Sequence, residues 1–154
     1  MKTFQFRTEQ RLPRPLAEVF EFFSDAHNLE KLTPGWLSFD VLTPKPIPMA
    51  VGTTIDYRLR WRGIPLRWTS EIAAWEPPHR FVDRQIRGPY RLWHHEHRFS
   101  EADGGTRVAD EVTYAVWGGG LVNRLGVARD VETIFDYRRR VLEALFGEAG
   151  TDGA

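Results

Sequence analysis

Two imidazoles and two large aromatics alternate in Trp93-x-His95-x-His97-x-Phe99, directly after a Gly88-Pro89-Tyr90 turn. In a strand, alternate side chains share one face, so these four point the same way. The intervening Leu92, His94, Glu96 and Arg98 make the more polar opposite face, which leaves the Trp/His/Phe face as the inner one. Two buried histidines need partners for their ring nitrogens. With the simplest turns on either side, Gln85 pairs with Trp93 and Asp83 with His95. Phe99 then pairs with Val108, His97 with Asp110, and Tyr114 with Trp93. Each imidazole thus has a carboxylate across the strand, as Asp83–His95 and His97–Asp110. A slip of two residues would keep the faces and change the partners.

Four kinds of chemistry fit this constellation. The pairs can simply satisfy each other and fix strand register. With Gln85 and Tyr114 they can supply a few polar contacts in an otherwise aromatic ligand pocket. One histidine, poised by its carboxylate, can act as acid or base in an aldol-type cyclisation or dehydration, with Tyr114 or Gln85 orienting a carbonyl. Two histidines at i and i+2 with a carboxylate also resemble some iron or zinc ligand sets, but both rings are already committed to carboxylates, so no metal is expected. The candidate catalytic residues are His95, His97, Asp83 and Asp110. The candidate ligand contacts are Tyr57, Trp68, Asp83, Gln85, Trp93, His95, His97, Asp110 and Tyr114.

Other residues carry weaker signals. Tyr57, Trp61, Trp68, Trp93 and Phe99 either stack on a flat ligand or fill a core. Gly126 either leaves space for ligand beneath the last helix or is a weak point in it. Arg138-Arg139-Arg140 reads as a solvated basic run, although Arg138 falls on the inner face of that helix, where it can reach an acidic group of a ligand. Arg58, Arg60, Arg62 and Arg67 form a solvated outer patch, and His27, His79 and His94 fall on the surface or in loops.

The elements that position these groups follow from periodicity and punctuation. Residues 3–12 read as a strand stopped by Pro13-Arg14-Pro15. Leu16, Val19, Phe20 and Phe23 have helical spacing, and Ser24-Asp25 can cap a second short helix through Leu32. From Leu37 to Trp117 the period becomes two, giving five or six strands in an antiparallel meander. In its first hairpin Trp61 pairs with Leu66 and Leu59 with Trp68. Hairpins around Gly88-Pro89 and Asp103-Gly104 follow. Gly118-Gly119-Gly120 releases the longest helix, near 121–146, whose inner positions include 121, 125, 128, 131, 135, 138 and 142.

Composition bounds the possibilities. The 154 residues suit one domain over 1–147, with 148–154 a disordered tail. Twenty-one basic residues balance twenty-one acidic ones, which offers no overall electrostatic footprint for nucleic acid. Cysteine is absent, which removes thiol chemistry and zinc-thiolate sites. The first residues and the rest of the chain lack a long apolar run, so no stable membrane insertion and a cytoplasmic location are expected. Six tryptophans and ten phenylalanines supply aromatic volume that strands and cavities use well.

Several residue patterns add to this order of elements. They are Leu16-x-x-Val19-Phe20, Gly52-Thr53, Trp75 through Asp83, Gly88 through Phe99, Gly105-Thr106-Arg107-Val108-x-Asp110, and Tyr137-Arg138-Arg139-Arg140. Across residues 3–146 the chain resembles the START-like ligand-binding superfamily, SRPBCC, and within it the polyketide cyclase/dehydrase-like subgroup. The resemblance implies an α+β helix-grip fold, a curved antiparallel sheet of six or seven strands around a long C-terminal helix. It implies an internal cavity and no cofactor, but no particular reaction, because such folds host carriers, receptors and cyclases alike. The expected partner is a small, largely apolar molecule: an aromatic polyketide, lipid or isoprenoid. A cyclase/dehydratase and a protein-interaction module with a vestigial cavity are the alternatives, and a monomer or homodimer is equally compatible.

Overall fold

The computed structural model describes residues 1–147; the tail expected at 148–154 lies outside them. Strand β1 (Phe4–Leu12) leads into α1 (Leu16–Ser24), a 3-10 turn (Ala26–Asn28) and α2 (Leu29–Leu32). Leu16, Val19, Phe20 and Phe23 form the buried stripe of α1, as their spacing predicts. Asp25 caps the turn that follows by accepting from the His27 amide, while the Ser24 hydroxyl bonds back to the Phe20 carbonyl.

Six strands then meander: β2 (Asp40–Val41), β3 (Thr54–Trp61), β4 (Ile64–Glu76), β5 (Arg80–Arg87), β6 (Leu92–Ala102) and β7 (Gly105–Ala115). They form one antiparallel sheet ordered β1-β7-β6-β5-β4-β3-β2, in which β1 returns to pair with β7. The expected register of β5, β6 and β7 holds, with Asp83 opposite His95, His97 opposite Asp110, Trp93 opposite Tyr114 and Phe99 opposite Val108. Gln85 is the exception: the β5–β6 ladder stops at Arg84 and His94.

The β3–β4 hairpin is tighter than expected. Trp61 pairs with Ile64, Leu59 with Leu66 and Tyr57 with Trp68, a slip of two that keeps every face. The two-residue turn explains it: Arg62 and Gly63 both have positive φ, the primed geometry that matches strand twist. Two irregularities between β4 and β5 curve the sheet. One lies between Ile72 and Ala74, so that Ile72 and Trp75, three residues apart, both face inward.

Across the concave face runs one helical stretch composed of α3 (Gly119–Val122), a π-helical turn (Asn123–Val127) and α4 (Ala128–Phe146). Val131, Phe135, Arg138 and Leu142 are its buried face, matching the expected period. The period fails toward the N-terminus. A π-turn accommodates one extra residue, which rotates everything before it. Val127 therefore turns inward and Val122 edges the cavity while still exposed, and Leu121 and Leu125, expected inside, are exposed. No helix among the described residues is long and apolar enough to cross a membrane.

Candidate functional site

Sheet and helix enclose a cavity of about 390 Å³. Its wall is largely aromatic and aliphatic, with Tyr57, Trp61, Trp68, Tyr90, Trp93, Val131 and Phe135 among the contributors. Trp68, Tyr90 and Trp93 pack against one another with centroids 4.7–5.5 Å apart, as edge and tilted contacts favour. Near the mouth, Trp36 and Trp117 line the cavity while remaining at least half exposed. On another side the Trp61 indole N–H donates to Asp130 at 3.0 Å, tying the β3–β4 hairpin to α4.

One region of the wall is polar. Strand β5 contributes Asp83, β6 His95 and His97, β7 Asp110, and α4 Arg138. The side chains cross the register rather than follow it. His95 Nε2 donates to Asp110 Oδ1 at 2.7 Å, and His97 Nε2 donates to Asp83 Oδ2 at 2.6 Å. The pairs expected directly across the strands are longer, at 3.9 Å for His95–Asp83 and 3.5 Å for His97–Asp110. The backbone pairing was right, and the hydrogen-bond partners are exchanged. The cause is stacking: the two rings lie face to face, 3.6 Å between centroids, and Phe81 covers the far side of His97 at 4.0 Å. Stacked rings lean together and reach diagonally.

Arg138 supplies the fixed cation. Its Nη2 donates to Asp110 at 3.3 Å and approaches His97 Nδ1 at 3.5 Å, and its guanidinium lies over the rings of Phe23 and Phe135. Burial pushes the Asp110 carboxyl up, but the Arg138 charge and the His95 hydrogen bond outweigh it and hold the pKa well below the usual range. Asp83 is likewise held low, burial being overcome by the His97 bond and the surrounding positive charge. His97 is pushed down to about 4, chiefly by burial and then by His95, against the pull of Asp83. It is therefore a neutral ring at pH 7, with Nε2–H toward Asp83 and the Nδ1 lone pair toward Arg138.

This separates the two histidines. Both nitrogens of His97 are engaged within the cluster. His95 Nδ1, opposite the nitrogen that donates to Asp110, has no hydrogen-bond partner, and the same is true of Asp83 Oδ1. Neither is sealed from the cavity, because Arg138 Nε is the one buried side-chain polar atom among the described residues without a partner. Tyr57 adds a hydroxyl nearby, whose pKa burial and the charge of Asp83 push up so that it stays protonated.

Of the nine expected ligand contacts, Tyr57, Trp68, Asp83, Trp93, His95 and His97 line the cavity. Asp110 lies behind His95, Tyr114 donates from its hydroxyl to Asn123 at 2.8 Å, and Gln85 braces the β5–β6 turn through the Tyr90 amide and carbonyl. A Cβ on Gly88 would collide with that Gln85 side chain, which accounts for the glycine. Gly126 does not border the cavity, since a Cβ there would face Arg62 at 3.9 Å. Sequence reasoning missed Ser70 as a cavity-lining hydroxyl, although its inward parity between Trp68 and Ile72 was readable, and it missed the mouth residues Trp36 and Trp117.

Asp83, His95 and His97 bring one ligand-type atom each within 4.8 Å of one another. Asp83 Oδ2 already holds the His97 N–H at 2.6 Å, with His95 Nδ1 3.9 Å from the same oxygen. The set fits a hydrogen-bonded network better than a chelate.

The sequence matches the model of the family described as "Polyketide cyclase / dehydrase and lipid transport" over residues 12–139. The chain belongs to that family. Similar solved structures share the family's helix-grip fold. A protein from Chromobacterium violaceum is 15% identical, covers 95% of this chain and 99% of its own, and superposes with a TM-score of 0.73. The major latex-like protein 151 of Panax ginseng is 12% identical over 94% and 97% of the two chains, with a TM-score of 0.69. A Thermus thermophilus protein is 20% identical over 92% and 99%, with a TM-score of 0.67. At these identities the likeness is one of fold. No curated protein matches the sequence. The START-like resemblance drawn from the motifs and the curved seven-stranded sheet around a C-terminal helix thus both hold for this member of the polyketide cyclase/dehydrase and lipid transport family.

Proposed function

We propose that this protein binds one small, largely apolar, ring-containing molecule between its sheet and C-terminal helix. The observation that carries the reading is the cavity of about 390 Å³, walled by aromatics and polar over one patch. That volume lies in the range of small-molecule sites, and that mixture of surfaces is how such sites combine affinity with orientation. A vestigial cavity would be smaller, which weighs against a pure interaction module. The membership of a family described by polyketide cyclisation and lipid transport agrees with an apolar ligand.

Native mass spectrometry of freshly purified protein, with solvent extraction of bound material, tests the proposal. The expected result is one apolar molecule per chain, lost or weakened in the His95→Ala/His97→Ala variant. An empty protein that also takes up none of a panel of two- to four-ring compounds would overturn it.

One observation favours a second reading, cyclase or dehydratase activity on a carbonyl-rich substrate. His95 is oriented by Asp110 through Nε2 while its Nδ1 is free toward the cavity, the arrangement a general base needs. Under this reading His95 moves the proton and His97 is a positioning residue. A His95→Gln variant that still binds substrate and loses conversion supports it, and unchanged conversion removes it.

A further inference from the structure

Three chain reversals make the end of the molecule that holds the cavity mouth: the β3–β4 turn, the β5–β6 turn and the passage from β7 into α3. An antiparallel meander brings them together, and the contacts agree. The Arg62 side chain ends beside Gly126, Trp61 is tied to Asp130, and the Arg91 guanidinium lies over the Trp117 ring at 5.1 Å. Residues 57–68, 84–94 and 114–129, which build this end, hold nine of the twenty-one basic residues and none of the twenty-one acidic ones. Arg58 and Arg84 pair with Asp40 and Glu71, and the other seven arginines have no carboxylate partner among the described residues. A chain of zero net charge is thus polarised, with its positive end around the mouth.

The same end exposes large apolar side chains. Leu125 is 75% exposed, Trp117 66%, Leu121 59% and Ile64 53%. The π-turn is what directs the two leucines outward, and such turns are frequent at functional sites. Single exposed apolar residues are ordinary, but a group of them beside an open apolar cavity and within a basic rim marks an interaction surface. Unpaired arginines around an apolar patch select a partner that is densely negative at its surface and apolar just beneath, which is an anionic bilayer. We propose that this end docks peripherally on anionic lipid membranes, with Trp117, Leu121 and Leu125 entering the headgroup layer and the arginines meeting lipid phosphates. No segment crosses the bilayer in this arrangement, and the cavity mouth faces lipid. Docking itself needs no bound ligand; for the ligand proposed above it provides a path between bilayer and cavity that avoids water.

Flotation of the full chain with vesicles tests the docking. Vesicles of phosphatidylcholine alone are compared with vesicles in which about a third of the lipid is phosphatidylglycerol. The bound fraction should rise about fivefold or more with the anionic lipid, and should fall back when salt is raised from about 0.05 to about 0.5 M. Leu121→Gln/Leu125→Gln should weaken binding to the anionic vesicles about tenfold. Arg124→Gln/Arg129→Gln should weaken it too and flatten its salt dependence. Val51→Gln, at an exposed apolar position ahead of β3 and at the opposite end of that strand from Trp61, should change nothing. Equal binding to the two kinds of vesicle would overturn the proposal, as would a leucine variant that binds like the wild type or a Val51 variant that loses as much. A wild-type dimer that the leucine variant splits, without vesicle binding, would assign the surface to a second copy of the chain instead. The wild-type lipid and salt series decides the matter even if a variant fails to fold. Because no ligand is added, an empty cavity would sink the ligand-binding reading and leave this one standing.

Discussion

His95 and His97, two residues apart on β6, stack their imidazoles at 3.6 Å and send their Nε2 atoms in opposite directions, to Asp110 and to Asp83. Two imidazolium rings cannot share that geometry without strong repulsion, so the pair resists full protonation. Asp83 on β5, Asp110 on β7 and Arg138 on α4 complete the charged groups around it.

Acid should therefore loosen the fold in two stages. His97 takes a proton near 6.5 when unfolded and near 4 when folded, so between these values the unfolded chain binds more protons. Its contribution is complete above about pH 6.5 and is lost as the pH falls toward 4, on the order of 3 kcal/mol at most. Asp83 and Asp110, both held low in the fold, add a further loss below the ordinary carboxylate value. Urea midpoints measured from about pH 7.5 down to about pH 4 should fall continuously. A flat profile would mean that His97 protonates freely in the folded protein.

The Asp110–Arg138 pair should be costly to break from one side. Asp110→Ala leaves a buried guanidinium and the His95 N–H without their acceptor, a loss of about 3–5 kcal/mol. Arg138→Met alone should also destabilise, and the double variant should lose less than the sum. Denaturant unfolding of all four proteins gives the coupling energy, expected to exceed about 1 kcal/mol. Additive losses would show that the two side chains do not act as a pair.

Trp61→Phe removes the indole donor to Asp130 and should cost about 1 kcal/mol. Because that bond ties the hairpin to α4 beside the cavity, release of a bound apolar probe should also quicken. Stopped-flow displacement would read the change, and an unaltered release rate would restrict the bond to a role in stability.

Gly126→Ala should stabilise. The added methyl meets only the end of the Arg62 side chain at 3.9 Å, and alanine is favoured over glycine within a helix by about 1 kcal/mol. A rise in Tm with unchanged ligand uptake is the expected outcome. A lowered Tm would indicate that the π-turn depends on the glycine.

Much of this architecture was legible because alternation in β5, β6 and β7 ties each residue to a face, and a one-residue slip would have turned Phe81, Phe99 and Val108 outward. Alternation says nothing about slips of two, so the Arg62-Gly63 turn was missed although its positive-φ residues are a hairpin signature. The cavity contacts were half legible for the same reason. Parity identifies inward side chains, but whether Asp110 or Asp83 borders the empty space depends on where the helix lies above them. The diagonal hydrogen bonds follow from ring stacking, which no spacing rule encodes. The exposed Leu121 and Leu125 reflect an assumed 3.6-residue period that the π-turn breaks.

Five of the six tryptophans, Trp36, Trp61, Trp68, Trp93 and Trp117, border the cavity, and only Trp75 is set among core phenylalanines away from it. The chain consequently carries its own optical gauge of occupancy. Near-ultraviolet emission from this protein is dominated by indoles whose surroundings change when the space between sheet and helix fills, so a label-free fluorescence scan through crude extracts can follow the search for the natural ligand directly.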